Sequence, residues 1–316
     1  MRNIRIATRA SRLALVQAEY IRDLLRKLCS DADISIVKIS TKGDRDKSDF
    51  LYKTGTVGFF TSEVERAILD GGAEMAVHSF KDLPTAITPG LIVAAIPKRE
   101  NPCDALVASS RADSIEALPP EATVGTSSLR RIAQLKHIRN DLKCVPLRGN
   151  VETRVRKVAA GEIDAAVIAC AGLNRLGLTD KISAILPLEQ FIPAPAQGAL
   201  AVQIRSDDSE LTELVSGIDD NDSRIAAGAE RGVLAALHGG CSIPLGVHSQ
   251  IRGNSITVNA VLSDLDGDKY IKRSATALID NAQFCARKLA EDLLIAGGKE
   301  ILEQIRINPA DENKQA

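Results

Sequence analysis

The regular alternation of short apolar segments with amphipathic segments over the first 200 residues most constrains the fold of this chain. Apolar runs of strand length lie at Ile4–Thr8, Ile34–Ile39, Glu74–Val77, Leu91–Ile96, Ala122–Gly125, Lys143–Leu147 and Asp164–Ala169. Helical periodicity predicts helices from Ser11 to Leu28, over Ser62–Leu69 with Ser62 and Glu65 as a capping box, and over Ser128–Ile138 and Val151–Ala160. This order is typical of α/β domains with largely parallel sheets.

Two parts of this region resemble each other. Ala7–Ser11 and Gly125–Arg130 both join a strand to a helix through small polar residues, and Gly72–Val77 parallels Glu162–Val167. Two similar lobes would explain the likeness, and so would the ordinary succession of strands and helices. Two proline-bearing segments, which we name the first crossing (97–102) and the second crossing (193–198), could form a double hinge between such lobes.

A third region follows a break at Ser216–Asn221. Helical patterns at Ser223–Leu237 and Ala282–Ile295 flank strand-like Ser255–Leu262 and Tyr270–Ala277, which is an α+β arrangement. We therefore predict a first α/β lobe from residues 1–98 and 198–216, a second α/β lobe from 103–193, and a smaller α+β domain from 220–316.

The charge balance narrows the class of partner. Lys plus Arg number 40 and Asp plus Glu 41, and aromatic residues make up 3% of the chain with no Trp. A general polyanion binder or a base-stacking surface is thereby excluded, so no nucleic-acid partner is expected. Residues 1–197 carry 28 basic and 23 acidic residues, whereas the remainder carries 12 and 18. The excess of +5 is compatible with an anionic ligand, but on this count alone chance unevenness of the surface is the favoured explanation.

The beginning of the sequence and its cysteines bear on compartment. Met1–Ile6 lacks the apolar run of a signal peptide, and no segment reaches membrane-spanning length. We expect a cytoplasmic protein with no membrane partner, in which the six cysteines are reduced. No CxxC pair exists and only four His are present, so no metal site is expected.

Basic and hydroxyl residues cluster where predicted strands lead into helices. Helix N-termini attract anions, Arg grips carboxylate or phosphate with two parallel hydrogen bonds, and open α/β sheets bind ligands at the carboxyl ends of their strands. The residues so placed are Arg9, Ser11, Ser128, Arg130, Arg131, Arg148, Arg154 and Arg175. They predict an anion-binding cleft; the alternative for any one of them is a serine N-cap or a solvated surface arginine.

Two further segments contain reactive groups. In the first, Asp82 follows the Glu74–Val77 strand beside Lys81, where a carboxylate can stay ionised and stabilise a developing cation; a structural ion pair is the alternative. In the second, Cys241 lies in a Gly-rich loop before Pro244 with no apolar periodicity around it. It is a candidate nucleophile or covalent anchor, and an inert loop thiol is the alternative.

Together these segments resemble the porphobilinogen deaminase (hydroxymethylbilane synthase) family over essentially the whole chain. The matching stretches are Arg5–Leu15, Ala76–Pro84, Val124–Arg131, Leu147–Asn150, Ala169–Leu178, Ala196–Ala199 and Gly239–Pro244. The resemblance implies two lobes like those of periplasmic binding proteins, and a third domain that carries a cysteine. It also implies a monomeric transferase of porphyrin and haem biosynthesis, which joins four porphobilinogen molecules head to tail, with release of ammonia, into the linear tetrapyrrole hydroxymethylbilane.

The resemblance also implies roles for particular residues. Cys241 would hold a dipyrromethane cofactor through a thioether, and Asp82 would be the catalytic carboxylate that stabilises the cationic azafulvene formed as ammonia leaves. The acetate and propionate groups would be bound by Arg9, Ser11, Lys53, Lys81, Ser128, Arg130, Arg131, Arg148, Arg154 and Arg175. The cleft would be lined by Ser79, Phe60 and Gln197.

The sequence departs from the family's pattern at two positions. Val57 stands where a lysine is common, which puts one carboxylate contact in doubt, and Phe80 replaces a common Met.

Two alternative functions compete with the one that the resemblance implies. A non-catalytic two-lobed binding protein for a small polycarboxylate is disfavoured by Asp82 and Cys241. An acid-binding regulatory module would need a DNA-binding helix-turn-helix, for which no segment is left over.

Overall fold

A computed structural model describes residues 3–41, 61–110, 112–237 and 243–307. The helices are α1 (Arg12–Leu28), α2 (Ser62–Leu69), α3 (Leu129–Ile138), α4 (Val151–Ala159), α5 (Cys170–Arg175), α6 (Ser209–Ser216), α7 (Asn221–Ala236), α8 (Ala282–Leu293) and α9 (Lys299–Ile307). The strands are β1 (Asn3–Arg9), β2 (Asp33–Ile39), β3 (Met75–Ser79), β4 (Leu91–Ala95), β5 (Asp104–Ala108), β6 (Thr123–Gly125), β7 (Lys143–Val145), β8 (Ala165–Ala169), β9 (Ala184–Ile185), β10 (Leu200–Arg205), β11 (Leu245–Arg252), β12 (Ser255–Ser263) and β13 (Tyr270–Leu278).

The first sheet contains five strands in the order β2-β1-β3-β10-β4. β1 pairs in parallel with β2 and β3, whereas β10 runs antiparallel to both of its neighbours. Helices cover both faces: α1 and α6 pack over Ile4, Val77 and Val202, and α2 packs over Ala7 and Ala76.

The second sheet repeats this arrangement in the order β7-β6-β8-β5-β9. β6 pairs in parallel with β7 and β8, and β5 runs antiparallel to both β8 and β9. Among the described strands of each sheet, the fourth in the order is therefore the only reversed one, and it enters directly after a crossing: β5 after 97–102 and β10 after 193–198. The expectation of two similar, largely parallel α/β lobes connected twice is confirmed by this topology.

The third unit is an antiparallel sheet, β11-β12-β13, with α7 and α8 packed on one face. The core between them contains Val233, Val247, Val258 and Leu289, each fully buried. Strands paired by short connections and covered by helices on one side match the α+β arrangement that the sequence predicts for this region.

Local chemistry explains how the helices begin. Ser11 is the N-cap of α1, and its Oγ accepts a hydrogen bond from the Ala14 N–H at 3.3 Å. The capping box proposed for α2 is wrong: the N-cap is Thr61, and the Glu65 side chain is buried, where it accepts a hydrogen bond from Gln203 at 2.9 Å. The carboxylate of Glu65 is therefore bound by Gln203 of β10, and not by a backbone N–H at the start of α2 as a capping box would require.

The two crossings lie against each other. The Glu100 N–H donates to the Gly198 carbonyl at 3.3 Å, and a Cβ on Gly198 would overlap the Glu100 carbonyl oxygen. Gly198 also has φ +88°, a conformation that side chains other than glycine rarely adopt. The close approach and the backbone angle both require glycine at this position.

Candidate functional site

Candidate residues from both lobes lie at the carboxyl edges of the parallel strands. In the first lobe β1 ends at Arg9 and β3 ends at Ser79. In the second, Ser128 and Arg148 follow β6 and β7, while Arg175 ends the helix that follows β8. β10 and β5 begin at these same edges, because Leu200 pairs with Ser79 and Asp104 pairs with Ala169. The crossings therefore emerge beside the candidate residues.

The Asp82 carboxylate is held on a 3-10 turn, Phe80–Asp82, directly after β3. Burial lowers the pKa of the neighbouring Lys81 to about 8, although the charge of Asp82 opposes this shift. Beneath the turn, Ser79 exchanges hydrogen bonds with the buried Gln17 of α1 at 2.9 and 3.3 Å. Sequence reasoning missed Gln17, although its place on the apolar face of α1 could have revealed it.

Arg130 and Arg131 occupy the first turn of α3 and converge on one carboxylate, Asp104. Arg131 donates from Nε and Nη2 to Asp104 Oδ1 at 3.1 and 2.7 Å, and Arg130 Nη1 lies 2.8 Å from Oδ2. All three side chains are buried, and that of Asp104 is fully so. The paired guanidinium groups hold the pKa of Asp104 far below its usual range despite its burial. Asp104 was not among the predicted site residues.

Arg148 and Arg154 extend this positive region. Burial and the charges of Arg131 and Arg148 together lower the pKa of Arg154 to about 10, although the charge of Asp82 opposes this shift. Arg154 Nε donates to the Gly149 carbonyl at 2.9 Å. The mutual electrostatic effects place Asp82 of the first lobe near Arg154 of the second, so the two edges face each other.

The remaining predicted residues have separate surroundings. Arg175 Nη2 donates to the Gly198 carbonyl at 2.8 Å, which ties the end of α5 to the second crossing. Burial lowers the pKa of Arg175, and Glu100 opposes this. Ser11 is an N-cap, whereas Ser128 is the N-cap of α3 without a side-chain cap bond. Arg9 ends β1 and is partly exposed.

Gln197 connects the lobes through the second crossing. Its Oε1 accepts from Lys81 Nζ at 3.2 Å, and its Nε2 donates to Asp104 Oδ1 at 3.0 Å and to the Pro102 carbonyl at 2.8 Å. The side chain is fully buried. Lys81 of the first lobe and Asp104 of the second are therefore joined by one amide.

Helix α7 of the third unit contacts the backbone of the turn that contains Asp82. Arg231 donates from Nη1 to the Phe80 and Leu83 carbonyls, both at 2.9 Å, and from Nη2 to the Pro84 carbonyl at 2.6 Å. Its guanidinium also lies 4.3 Å from the centre of the Phe80 ring. These contacts surround Asp82 in sequence, so Arg231 fixes the backbone of the turn that presents it. Sequence analysis did not single out Arg231.

Some expectations lie outside the described residues. They concern Lys53, Phe60 and Cys241, together with the departure at Val57. Within 3–41, 61–110, 112–237 and 243–307, no group of three or more His, Cys, Asp or Glu could hold a metal ion. No helix in those ranges has the length and apolarity needed to cross a membrane.

The arrangement suits an anionic organic ligand. Among the described residues, two carboxylates, Asp82 and Asp104, lie within electrostatic range of a larger number of cations. These cations are Lys81, Arg130, Arg131, Arg148 and Arg154. Burial of positive charge is costly, and an incoming carboxylate would offset part of that cost. The donor set therefore fits a ligand with several carboxylates, and Asp82 can face a positive centre on that ligand.

Comparison with protein-family models gives two matches. The model described as porphobilinogen deaminase, dipyromethane cofactor binding domain, matches residues 4–213. The model described as porphobilinogen deaminase, C-terminal domain, matches residues 225–295. Together the two matches span the three sheets.

Curated relatives match over nearly the full chain. The porphobilinogen deaminase of Syntrophomonas wolfei is 44% identical over 97% of this chain and 100% of its own. That of Maridesulfovibrio salexigens is 45% identical, covering 96% and 99%. Among solved structures, the periplasmic aliphatic sulphonate binding protein of Escherichia coli is 17% identical with a TM-score of 0.40, covering 74% of this chain and 70% of that one.

Proposed function

Because this chain belongs to the porphobilinogen deaminase family, we propose that the cleft described above performs the family's reaction. The protein is a transferase that joins four porphobilinogen molecules head to tail, releases ammonia and makes hydroxymethylbilane. The observation that supports this assignment for the site is the position of the Asp82 carboxylate among partly buried cations from both lobes, Lys81 and Arg154. The alternative of a binding protein without catalysis is not favoured by the family matches.

Asp82 is proposed as the catalytic carboxylate. When the aminomethyl group of a porphobilinogen leaves as ammonia, the remaining carbon and its pyrrole ring become positively charged. A fixed carboxylate lowers the energy of that cation and can accept hydrogen bonds from pyrrole N–H groups. Arg231 and the 3-10 turn hold the backbone of Asp82 in place, so little reorganisation is needed as the charge develops.

The cations are proposed to hold the carboxylates of the substrate and of the growing product. Each porphobilinogen brings an acetate and a propionate, so the chain gains two negative charges with every addition. The proposed binding residues are Arg9, Ser11, Lys53, Lys81, Ser128, Arg130, Arg131, Arg148, Arg154 and Arg175. Ser79, Phe60 and Gln197 are proposed to line the cleft.

The family is one that uses a dipyrromethane cofactor, and we propose Cys241 as its attachment point through a thioether. When bound, this group supplies the pyrrole carbon to which the first substrate is joined. The cationic residues fit it, because two pyrroles carry four carboxylates. Cys241 follows α7 in sequence by five residues, and the other five cysteines, which the structure describes, are free thiols on helices or strands or at their ends.

The domain division is proposed as residues 1–98 with 198–216, 103–193, and 220–316. Each of the three sheets takes all its strands from one of these sets.

A cytoplasmic location is proposed because the five described cysteines are free, as in a reducing compartment. A monomer is proposed because the residues of both lobes meet within one chain.

Intact-mass spectrometry tests the cofactor and its anchor. After expression in a cell that makes porphobilinogen, the wild-type chain is expected to carry the additional mass of a dipyrrole. Cys241→Ser should lose that mass, and Cys29→Ser, which alters the partly exposed thiol at the end of α1, should keep it. A wild-type chain of bare polypeptide mass would refute the proposal.

Turnover tests the role of Asp82. Asp82→Asn keeps the shape of the side chain and removes its charge, so kcat should fall by about 100-fold or more while the fold is retained. Asp180→Asn is the matched control, because Asp180 is exposed and pairs with the exposed Lys181 at 2.8 Å. Equal turnover in the two variants would contradict the catalytic role of Asp82, whereas a folded wild-type chain without turnover would favour the binding-protein alternative.

A further inference from the structure

We propose that Asp104 is a positioning residue, whose buried carboxylate fixes Arg130 and Arg131 directly and Lys81 through Gln197. The inference rests on the proposed function of the cleft. It concerns a residue that lies two positions beyond the end of the first crossing, at the beginning of β5. The burial of Asp104, the orientation of the Gln197 amide and the charges around Lys81 support it.

The burial of Asp104 fixes both arginines. Its side chain is fully buried, and a carboxylate in such a place needs opposite charges and hydrogen bonds. Arg131 supplies two bonds to Oδ1, and Arg130 supplies an ion pair to Oδ2 while its Nη1 also donates to the Ile192 carbonyl at 2.8 Å. Asp104 therefore holds Arg131 through two nitrogens, and it shares Nη1 of Arg130 with the Ile192 carbonyl.

The orientation of the Gln197 amide carries this effect to the first lobe. Its NH₂ group faces three acceptors: Asp104 Oδ1 at 3.0 Å, the Pro102 carbonyl at 2.8 Å and the Cys103 carbonyl at 3.3 Å. A flipped amide would turn its oxygen toward these oxygens, so the observed orientation is imposed. The amide oxygen is then directed to Lys81 Nζ, 3.2 Å away. Asp104, together with these two backbone carbonyls, thus helps to place the ammonium group of the first lobe from a position in the second.

The charges around Lys81 also depend on Asp104. The groups that act on Lys81 are Asp82, Arg131, Asp104 and Arg130, and the two carboxylates raise its pKa while the two guanidinium groups lower it. Asp104 is therefore a counter-charge to Lys81, Arg130 and Arg131, and it favours the ionised form of Lys81. It neutralises only part of their charge, so the surplus remains for the carboxylates of a ligand.

Asp104→Asn in the cofactor-loaded enzyme tests the proposal. We expect kcat/KM for porphobilinogen to fall about 10- to 100-fold, as displaced binding groups would cause. The basic limb of the pH profile should move to lower pH, because a charge that raises the pKa of Lys81 is gone. The titration of Lys81, followed by NMR of ¹³C-labelled lysine in protein without cofactor, should move in the same direction.

Asp141→Asn is the matched control in the same lobe. Asp141 accepts two hydrogen bonds from Arg139, both at 2.6 Å, but it precedes β7 and so lies at the opposite edge of the sheet. Its removal should leave kcat/KM and the basic limb unchanged. If Asp104 served only as one half of a structural ion pair, both Asp104→Asn and Asp141→Asn would lower the stability of the protein. Neither variant would then change the titration of Lys81.

A charge-conserving variant covers the case in which Asp104→Asn does not fold. Asp104→Glu keeps a carboxylate beside Arg130 and Arg131, so folding, activity and the basic limb should be partly retained. A folded Asp104→Asn enzyme with wild-type kinetics and Lys81 titration would overturn the proposal. So would failure of both variants to fold, which would make Asp104 a folding element only. Failure of the proposed function would instead appear as a wild-type chain without the dipyrrole mass.

Discussion

Replacing Glu230 with Gln should destabilise the protein more than any conservative surface change. The side chain of Glu230 on α7 is fully buried, so water cannot replace a hydrogen-bond partner that its carboxylate loses. Oε1 accepts from Arg99 Nη1 at 2.7 Å and from the Ser249 N–H at 2.8 Å. Oε2 accepts from Arg99 Nη2 at 2.9 Å and from the Ala196 N–H at 2.7 Å. One carboxylate thus joins both crossings to the third unit.

The magnitude follows from this geometry. In the Glu230→Gln variant, either orientation of the new amide would set its NH₂ against one nitrogen of Arg99 and one backbone N–H, so two donors lose their acceptor. Each unsatisfied buried donor costs about 1–3 kcal/mol, and breaking a buried ion pair from one side costs about 3–5 kcal/mol. We expect a loss of about 4 kcal/mol in the free energy of unfolding.

Urea unfolding followed by far-UV circular dichroism measures this loss, with the slope m unchanged. The control is Asp70→Asn, which removes an exposed i,i+4 pair with Arg66 at 3.2 Å and should cost less than about 0.5 kcal/mol. Arg99→Met and the double variant complete a cycle, in which the two losses should be strongly non-additive. A loss in Glu230→Gln no larger than that in Asp70→Asn would refute the reasoning.

Two further predictions concern pH and backbone conformation. Burial lowers the pKa of His78 to about 4, below its ordinary value of 6.5. Between these two pH values the unfolded chain therefore binds a proton at His78 that the folded chain does not bind. Stability should therefore fall as pH falls from 6.5 toward 4 by an amount that His78→Gln lacks, measured as the difference between the two urea midpoints across that range. Gly198→Ala should destabilise strongly, because its φ is +88° and its Cβ would overlap the Glu100 carbonyl. Gly177→Ala, with φ +68° and open space around the Cβ, should cost only about 1 kcal/mol in the same assay.

The lobes were predictable because their parallel strands and helices differ in periodicity, but β5 and β10 were not predicted. Both are short apolar runs beside a proline-bearing crossing, Asp104–Ala108 and Leu200–Arg205. Their reversed direction depends on where the chain re-enters each sheet, which is a property of the tertiary fold.

The candidate site was predictable where it depends on strand ends, and not where it depends on burial. Arginines after strands are visible in a sequence, since the carboxyl ends of parallel strands meet at one edge. Asp104 looks like a single surface acid until the Arg130 and Arg131 side chains are placed around it. The burial of Glu230 could have been predicted from the helical periodicity, because Glu230 lies on the face of α7 that also contains the buried Ala226, Ala227 and Val233.

Adjacent residues of α7 reach different parts of the site, because successive side chains on a helix point about 100° apart. Glu230 holds the two crossings, and Arg231 holds the carbonyls of the turn that contains Asp82. On the proposed function, the anchor at Cys241 follows this same helix, so the start of the product is tied to the element that positions the catalytic carboxylate. Growth by four pyrroles then has to be accommodated by the path of the product through the cleft or by the second lobe, because α7 and the Asp82 turn are joined too closely to move apart.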